Sequence, residues 1–267
     1  MKYPEDYINK IICGDCLEVM KGIPDKSVDL VLTSPPYDQL RDYKGYSFDF
    51  EGIAKEIFRV VKDGGFCVWV VGDSVINGSE SGTSFKQALF FKQIGFNLHD
   101  TMIYHKNCFS MPPSNRYFQV FEFMFVLSKG KPITFNPIKV RTKYINQCIK
   151  HKNSTTRNKD GSTSRNKYLS FKPTRIKENI WFYEVGTGKS SKDKIAFNHP
   201  AIFPDALAID HISSWTNSGD IVLDPFSGSG TTAVQSKKLA RNFIGIDIEP
   251  KYCEISQKRL SQEYLFT

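Results

Sequence analysis

Apolar positions along the 267-residue chain fall into short runs separated by polar segments with helical spacing. Ile11-Ile12-Cys13 suits a short strand, and the stretch from Cys16 to Lys21 behind it suits a helix. Val28 to Leu32 is a second strand. Ile53, Ile57, Val60 and Val61 recur at three- and four-residue intervals, which puts them on one face of a helix that Gly64-Gly65 is expected to end. Phe66 to Val71 is almost continuously apolar, as a strand covered on both faces must be. A helix from Ser84 to Gln93 should stop at Gly95. Leu98 to His105 and Tyr117 to Leu127 then read as strands, with Pro112-Pro113-Ser114-Asn115 between them. Farther on, Pro204 to Trp215 is helical, Ile221-Val222-Leu223 is a strand, a glycine-bearing turn opens a helix to Leu239, Asn242 to Ile246 is a strand, and a helix runs from Lys251 toward Tyr264. This alternation predicts a doubly wound, mostly parallel α/β sheet of about seven strands.

Between the two blocks the pattern breaks. From Lys139 to Lys194 there are 15 Lys or Arg against four acids, a local excess of +11 in a chain whose net charge is +8, so the remainder is net acidic at −3. The stretch from Asn153 to Lys167 lacks large apolar residues and reads as a mobile polar loop. Tyr144, Tyr168, Phe171 and Trp181 lie among the basic residues, an arrangement that points to nucleic acid rather than to a merely solvated face. The chain therefore divides into a first core half at 1–138, a basic insert at 139–195 and a second core half at 196–267. No basic-then-apolar leader and no apolar run near 18 residues is present, and six cysteines are too sparse for a disulfide framework; the expected location is the cytoplasm. Cys13 and Cys16 have CxxC spacing without a second ligand pair, so small buried residues are the better reading than a metal site.

Two motifs carry chemistry. The strand at Val28 ends in Thr33-Ser34-Pro35-Pro36-Tyr37. Proline fixes φ and lacks an N–H, so the two prolines hold their carbonyls in preset directions beside a hydroxyl and an aromatic ring. Such a ledge can grip a planar base bearing an exocyclic amine, although taken alone it is more often a plain turn. The second motif, Asp224-Pro225-Phe226-Ser227-Gly228-Ser229-Gly230-Thr231-Thr232, lies between a strand and a helix, and Asp247 closes the next strand 17 residues after Gly230. Close-approaching glycines, helix-start N–H groups and a carboxylate for ribose hydroxyls suit a nucleoside ligand. The spacing departs from GxGxxG and disfavours nicotinamide.

Together, and in this order, the two motifs resemble the DNA amino-methyltransferases that use S-adenosylmethionine, in the circularly permuted β class. The likeness extends through Gly14-Asp15, Phe58 to Gly65, His199-Pro200 and Gly245 to Glu249, covering both core halves but not the basic insert. It implies a Rossmann-like methyltransferase core with an inserted recognition region. The cofactor's methionine arm would lie by Asp224, Phe226 and Gly228, its ribose by Asp247, and its adenine near Asp15. Cys16, Thr33, Ser34, Pro225, Ser227, Ser229, Gly230, Thr231 and Ile248 complete the implied cofactor site. Ser34, Pro35, Pro36 and Tyr37 would hold the flipped base and its amine. Lys139, Arg141, Lys143, Lys152, Arg157, Arg165, Lys167 and Arg175 would meet double-stranded DNA. No metal is implied; a cognate restriction endonuclease and a monomeric or homodimeric state are both open.

Attack at cytosine C5 would need a thiolate that the related family places directly after a proline, and none of the 13 prolines here precedes a cysteine. Ser at the first ledge position is commoner in N4-cytosine enzymes of the family, which favours cytosine N4 with adenine N6 as the alternative. Tyr104 and Asp73 are further pocket candidates, each with a plain reading beside it: a core aromatic and a capped turn. An RNA or protein amine methyltransferase and a catalytically silent DNA-binding module are the remaining alternatives.

Overall fold

The computed structural model describes residues 1–36, 48–107, 115–142, 155–165 and 172–262. In chain order the strands and helices are β1 (Lys10–Cys13), α1 (Cys16–Met20), β2 (Val28–Thr33), α2 (Phe50–Val60), β3 (Val61–Val71), β4 (Val75–Ile76), β5 (Ser79–Glu80), α3 (Thr83–Gln93), β6 (Asn97–Lys106), β7 (Phe121–Ser128), β8 (Lys139–Arg141), β9 (Thr155–Arg157), β10 (Thr163–Arg165), β11 (Thr174–Ile176), β12 (Ile180–Tyr183), α4 (Asp205–Trp215), β13 (Ile221–Asp224), α5 (Thr231–Lys238), β14 (Asn242–Asp247) and α6 (Pro250–Leu260). A 3₁₀ turn at Lys194–Asn198 precedes α4.

The main sheet has the order β1-β14-β13-β2-β3-β7-β6-β12. Every neighbouring pair is parallel except the two made by β7. From β13 the chain continues to β14 on one side, while β2 flanks it on the other, so the topological switch point lies between β13 and β2. A doubly wound sheet opens a crevice at the carboxyl ends of its strands there. β2 and β3 carry an almost unbroken apolar sequence because both faces are covered: Leu30, Val31, Leu32, Phe66, Cys67, Val68, Trp69 and Val70 are fully buried. Trp69 still satisfies its indole N–H, which donates to Gln87 Oε1 on α3 at 2.8 Å.

The sheet differs from the expected one by an eighth strand. β12 lies inside the segment grouped with the insert by charge, yet it pairs in parallel with β6, Trp181 beside Tyr104. Its side chains alternate: Ile180 and Phe182 are exposed, while Trp181 packs on the His211 ring and Tyr183 donates to Asp210 at 2.7 Å. The compact division of the chain follows this pairing. One unit comprises Met1–Asn136 with Asn179–Thr267, and the second is Pro137–Glu178, so the boundary expected near 195 falls at 178. Within the second unit, β8 pairs with β11 and β9 with β10, both antiparallel. The polar stretch expected as a mobile loop therefore contains a hairpin. Its turn is closed by Asn158 and Ser162, joined through backbone and side chain, with Asp160 accepting from Ser162.

Gly64-Gly65 does not end α2, another difference from the sequence expectation. The helix stops at Val60, and both glycines sit in an irregular stretch of β3, where the register with β2 shifts between Val28 and Leu30. Lys129 seals this junction. Its ammonium, on a residue only 8% exposed, donates to the carbonyls of Phe58 at 2.6 Å and Val61 at 2.9 Å, and it lies over the Phe58 ring. Removing the ammonium takes a charged donor from both carbonyls in a buried place. Lys129→Met should therefore lower unfolding stability by about 2 kcal/mol, read as a reduced urea midpoint at unchanged m-value. An unchanged midpoint would assign the capping elsewhere.

Candidate cofactor and catalytic site

The carboxyl ends of four adjacent parallel strands bring the expected residues together. Thr33 ends β2, and its hydroxyl donates to Asp224 Oδ1 at the end of β13, 2.6 Å away. The same oxygen accepts the Phe226 N–H at 3.1 Å. Asp224 is 6% exposed, and burial pushes its carboxyl up to about 6 against the lowering effect of the Thr33 and Thr232 hydroxyls and the Phe226 N–H. It is a buried acid poised near neutrality, at the switch point, with no basic side chain among the causes of its shift. Ser34 and Pro35 continue directly from Thr33, with Ser34 half-buried and Pro35 buried. Tyr37 lies outside the described residues.

Past Asp224 the chain turns through the glycine loop into α5. Gly228 and Gly230 have φ of +52° and +76°, values that suit glycine. Space is as restrictive as conformation: a Cβ at Gly230 would stand 2.7 Å from Ser256, and one at Gly228 would stand 3.1 Å from the His199 ring. The loop is fastened from below by β14. Asp247 Oδ2 accepts the Gly228 N–H at 2.7 Å, and its Oδ1 accepts the Glu249 N–H at 2.9 Å. Burial raises the Asp247 carboxyl above the ordinary range, with those two N–H groups acting in the opposite direction. A carboxylate has about four acceptor positions, so Asp247 can hold the loop and still accept from a ligand hydroxyl.

β1 lies beside β14, Cys13 opposite Asp247, and the Gly14 N–H donates to the Asp247 carbonyl. Asp15 caps α1, accepting from Leu17 at 2.8 Å and Glu18 at 3.3 Å. Cys16 is buried behind it, its thiol pushed up to about 12 by burial and then by the Asp15 charge. Pro225, Ser227, Ser229 and Thr231 are buried, and Ile248 is half-buried. Phe226 is half-buried, with its ring packed edge-on against Phe48 and Trp69. Among the described residues, Ser227 Oγ is the buried side-chain polar atom without a hydrogen-bond partner.

The two further pocket candidates have structural employment. Asp73 accepts from Ser81, from the Ser84 N–H and from the Ser84 hydroxyl, fixing the start of α3. Tyr104 is 4% exposed and packs edge-on to Tyr183, and its phenol is raised by burial and then by Glu122. The capped turn and the core aromatic are what these residues form.

Several residues that the motifs did not indicate converge on the loop. Arg259, near the end of α6, is fully buried and donates to Ser229 O at 2.7 Å, to Thr231 Oγ1 at 3.1 Å and to Asp193 at 2.8 Å. Ser256 donates to Gly228 O at 2.9 Å. Burial acts to raise the Asp193 carboxyl, but hydrogen bonds from Arg259, the Ile195 N–H and Gln262 outweigh it and hold the group below the ordinary carboxylate range. A hint was present in the sequence: Ser256 and Arg259 are spaced i, i+3 and so share a helix face. Nothing local marked that face as the buried one.

Of the basic residues expected at DNA, Lys139, Arg141, Arg157 and Arg175 are exposed, and Arg165 belongs to β10. Arg175 pairs with Glu178, which reduces the charge it presents. Lys143, Lys152 and Lys167 lie outside the described residues.

A mostly parallel sheet with an acid and a glycine loop at its switch point defines a Rossmann-like fold, here with a proline-rich ledge one strand away. The chain belongs to the DNA methylase family N6_N4_Mtase, whose pattern it matches over residues 28–258. It is 53% identical to the orphan methyltransferase M.BamHII of Bacillus amyloliquefaciens, over 90% of this chain and 91% of that one. Its fold resembles that of the cytosine-N4-specific PvuII DNA methyltransferase, with a TM-score of 0.67 at 21% identity over 96% and 87% of the two chains. The complex of M1.HpyAVI with S-adenosylmethionine gives a TM-score of 0.60 at 25% identity over 94% and 99%. The protein is thus a DNA methyltransferase of the amino-methylating family. Among the described residues, no helix is long and apolar enough to cross a membrane.

Proposed function

We propose that the protein transfers the methyl group of S-adenosylmethionine to the exocyclic amine of a base flipped out of double-stranded DNA, with cytosine N4 favoured over adenine N6. The observation that carries this reading is the Thr33–Asp224 hydrogen bond, which joins the Ser-Pro-Pro ledge to the glycine loop in one crevice. The loop suits the cofactor. Its glycines leave no room for a Cβ, Ser227 Oγ is buried without a partner, and Asp224 offers a carboxylate to an ammonium group. Asp224, Phe226 and Gly228 would hold the methionine arm, with Asp247 at the ribose and Asp15 near the adenine.

The bound cofactor supplies an electrophilic methyl on a sulfonium. The chain's own residues align the amine: Ser34 Oγ and the Pro35 carbonyl accept from its hydrogens, which disfavours conjugation of the nitrogen lone pair with the ring. That alignment would suit an in-line displacement of the thioether, in which N–C forms as S–C breaks and the proton lost from the amine passes to solvent. Alignment and charge placement supply the acceleration, and no enzymic nucleophile is required. Ser34 favours cytosine through the family resemblance, because serine at this position is commoner in the N4-cytosine enzymes. Nucleoside mass spectrometry of DNA from cells expressing the protein tests the reading directly. N4-methylcytosine is expected. N6-methyladenine would reverse the choice of base, and methyl transfer into RNA or protein alone would overturn the proposal.

The basic residues of the 137–178 unit, Lys139, Arg141 and Arg157 foremost, supply the phosphate contacts. The double variant Lys139→Ala/Arg141→Ala is expected to lower the slope of log affinity against log salt by about 0.9 per lost contact. Arg175→Ala should change it less, because Glu178 already pairs with that side chain. A slope unchanged in the double variant would remove this unit from the DNA interface. The relative M.BamHII is described as an orphan methyltransferase, which favours action without a partner endonuclease.

A further inference from the structure

Outside the residues already assigned, the most completely engaged polar side chain near the crevice is Arg259. A guanidinium is costly to bury, and a buried ion pair seldom repays its desolvation in net stability; its best-attested value lies in fixing geometry. Here the planar fork reaches three separate parts of the chain. Nη1 donates to Ser229 O at 2.7 Å and Thr231 Oγ1 at 3.1 Å, at the glycine loop and the start of α5. Nε donates to Asp193 at 2.8 Å in the segment before the 3₁₀ turn, and Nη2 to Asp205 at 3.4 Å at the start of α4. Gln262 donates a second bond to the same Asp193 oxygen, at 3.1 Å.

Ser256, one turn earlier on the same face of α6, donates to Gly228 O at 2.9 Å. Two consecutive loop carbonyls, Gly228 O and Ser229 O, are therefore drawn toward α6 by residues spaced i, i+3. A trans peptide places its C=O and N–H on opposite sides. Turning the Gly228 carbonyl toward α6 thus turns the Ser229 N–H away from it. The following N–H, that of Gly230, is taken up by Ser227 O at 2.7 Å. The loop's peptide orientations, and not merely its position, are set from α6.

We propose that Arg259, seconded by Ser256, is a positioning residue that holds the glycine loop in its cofactor-binding conformation; this rests on the reading that the loop binds S-adenosylmethionine. Lysine at 259 would keep the charge but could not reproduce a fork bonded in three directions. Arg259→Lys is expected to weaken S-adenosylmethionine binding about tenfold, with kcat at saturating cofactor and KM for DNA both within about threefold of native, because the partners described for this side chain are the glycine loop, the start of α5, Asp193 and Asp205. Ser256→Ala should act in the same direction by about threefold, through loss of one neutral hydrogen bond. Asp193→Asn, which meets Arg259 but not the loop, should also raise the cofactor dissociation constant while leaving KM for DNA unchanged.

Calorimetric titration of the full-length protein with S-adenosylmethionine, alongside steady-state methylation of duplex DNA, reads all three variants. Folded variants that bind the cofactor as tightly as the native protein would overturn the assignment. So would a parallel loss in cofactor affinity, kcat and DNA KM, which is the signature of a general structural role. Should Arg259→Lys fail to fold, Ser256→Ala decides the matter by the same criteria. Native protein that gives no heat with S-adenosylmethionine would instead overturn the cofactor reading itself.

Discussion

Asp224→Asn is expected to make the free protein more stable at pH 8 while depriving it of its cofactor. The Asp224 carboxyl sits at about 6, above its ordinary value, because burial opposes its ionisation. The folded chain thus holds this proton more tightly than the unfolded chain. The group favours the folded state at acid pH, and that advantage is lost as pH rises through about 6. At pH 8 the native protein carries a buried, ionised carboxylate at a cost of up to about 3 kcal/mol. An amide of the same shape removes that cost and can still accept from Thr33 and the Phe226 N–H, so the melting temperature should rise. The ammonium of the methionine arm, which Asp224 is proposed to pair with, would however lose that charge, and affinity should fall on the order of 100-fold. Native affinity should itself decline as pH drops below about 6, while that of Asp224→Asn stays flat. Thermal melts and calorimetry between pH 5 and about 8 measure both arms. Unchanged melting together with unchanged affinity would remove Asp224 from the site.

Tyr37→Ala should do the opposite. The aromatic ring after the two prolines is the group that the family resemblance assigns to stacking on the flipped base, and stacking is worth about 1–3 kcal/mol per base. Turnover is therefore expected to fall on the order of 100-fold, with the dissociation constant of S-adenosylmethionine within about threefold of native. Tyr37→Phe should recover most of the loss, since the ring rather than the hydroxyl does the work. Equal loss of cofactor binding in Tyr37→Ala and Asp224→Asn would show that ledge and loop do not divide the task as proposed.

Much of this was legible along the chain because the signals are local. The alternating blocks reflect strands buried on both faces and helices buried on one, and the stops at Pro35-Pro36 and Gly228 to Gly230 mark where backbone must leave regular structure. The resemblance drew the ledge and the loop into one site, and Thr33 and Asp224 do meet. The edge strand Ile180–Tyr183 was less visible. It is four residues long and embedded in basic sequence, so charge counting assigned it to the insert, whereas the burial of Trp181 and Tyr183 against α4 assigns it to the sheet. The hairpin Thr155–Arg165 was missed for a related reason: its strands are polar on both faces, and periodicity can register only an apolar side.

The order of apolar and polar residues was sufficient to specify the class of fold, the two chemical motifs and their permuted order, since each depends on neighbours close in the chain. It could not specify who fastens the glycine loop. Asp247, Ser256 and Arg259 reach Gly228 and Ser229 from 19 to 30 positions away, and Asp193 completes the Arg259 ion pair from 66 away. A buried arginine at the end of an amphipathic helix has the same local sequence as a solvated one. Its partners, and therefore its role, are decided only when strand order brings α6 beneath the loop.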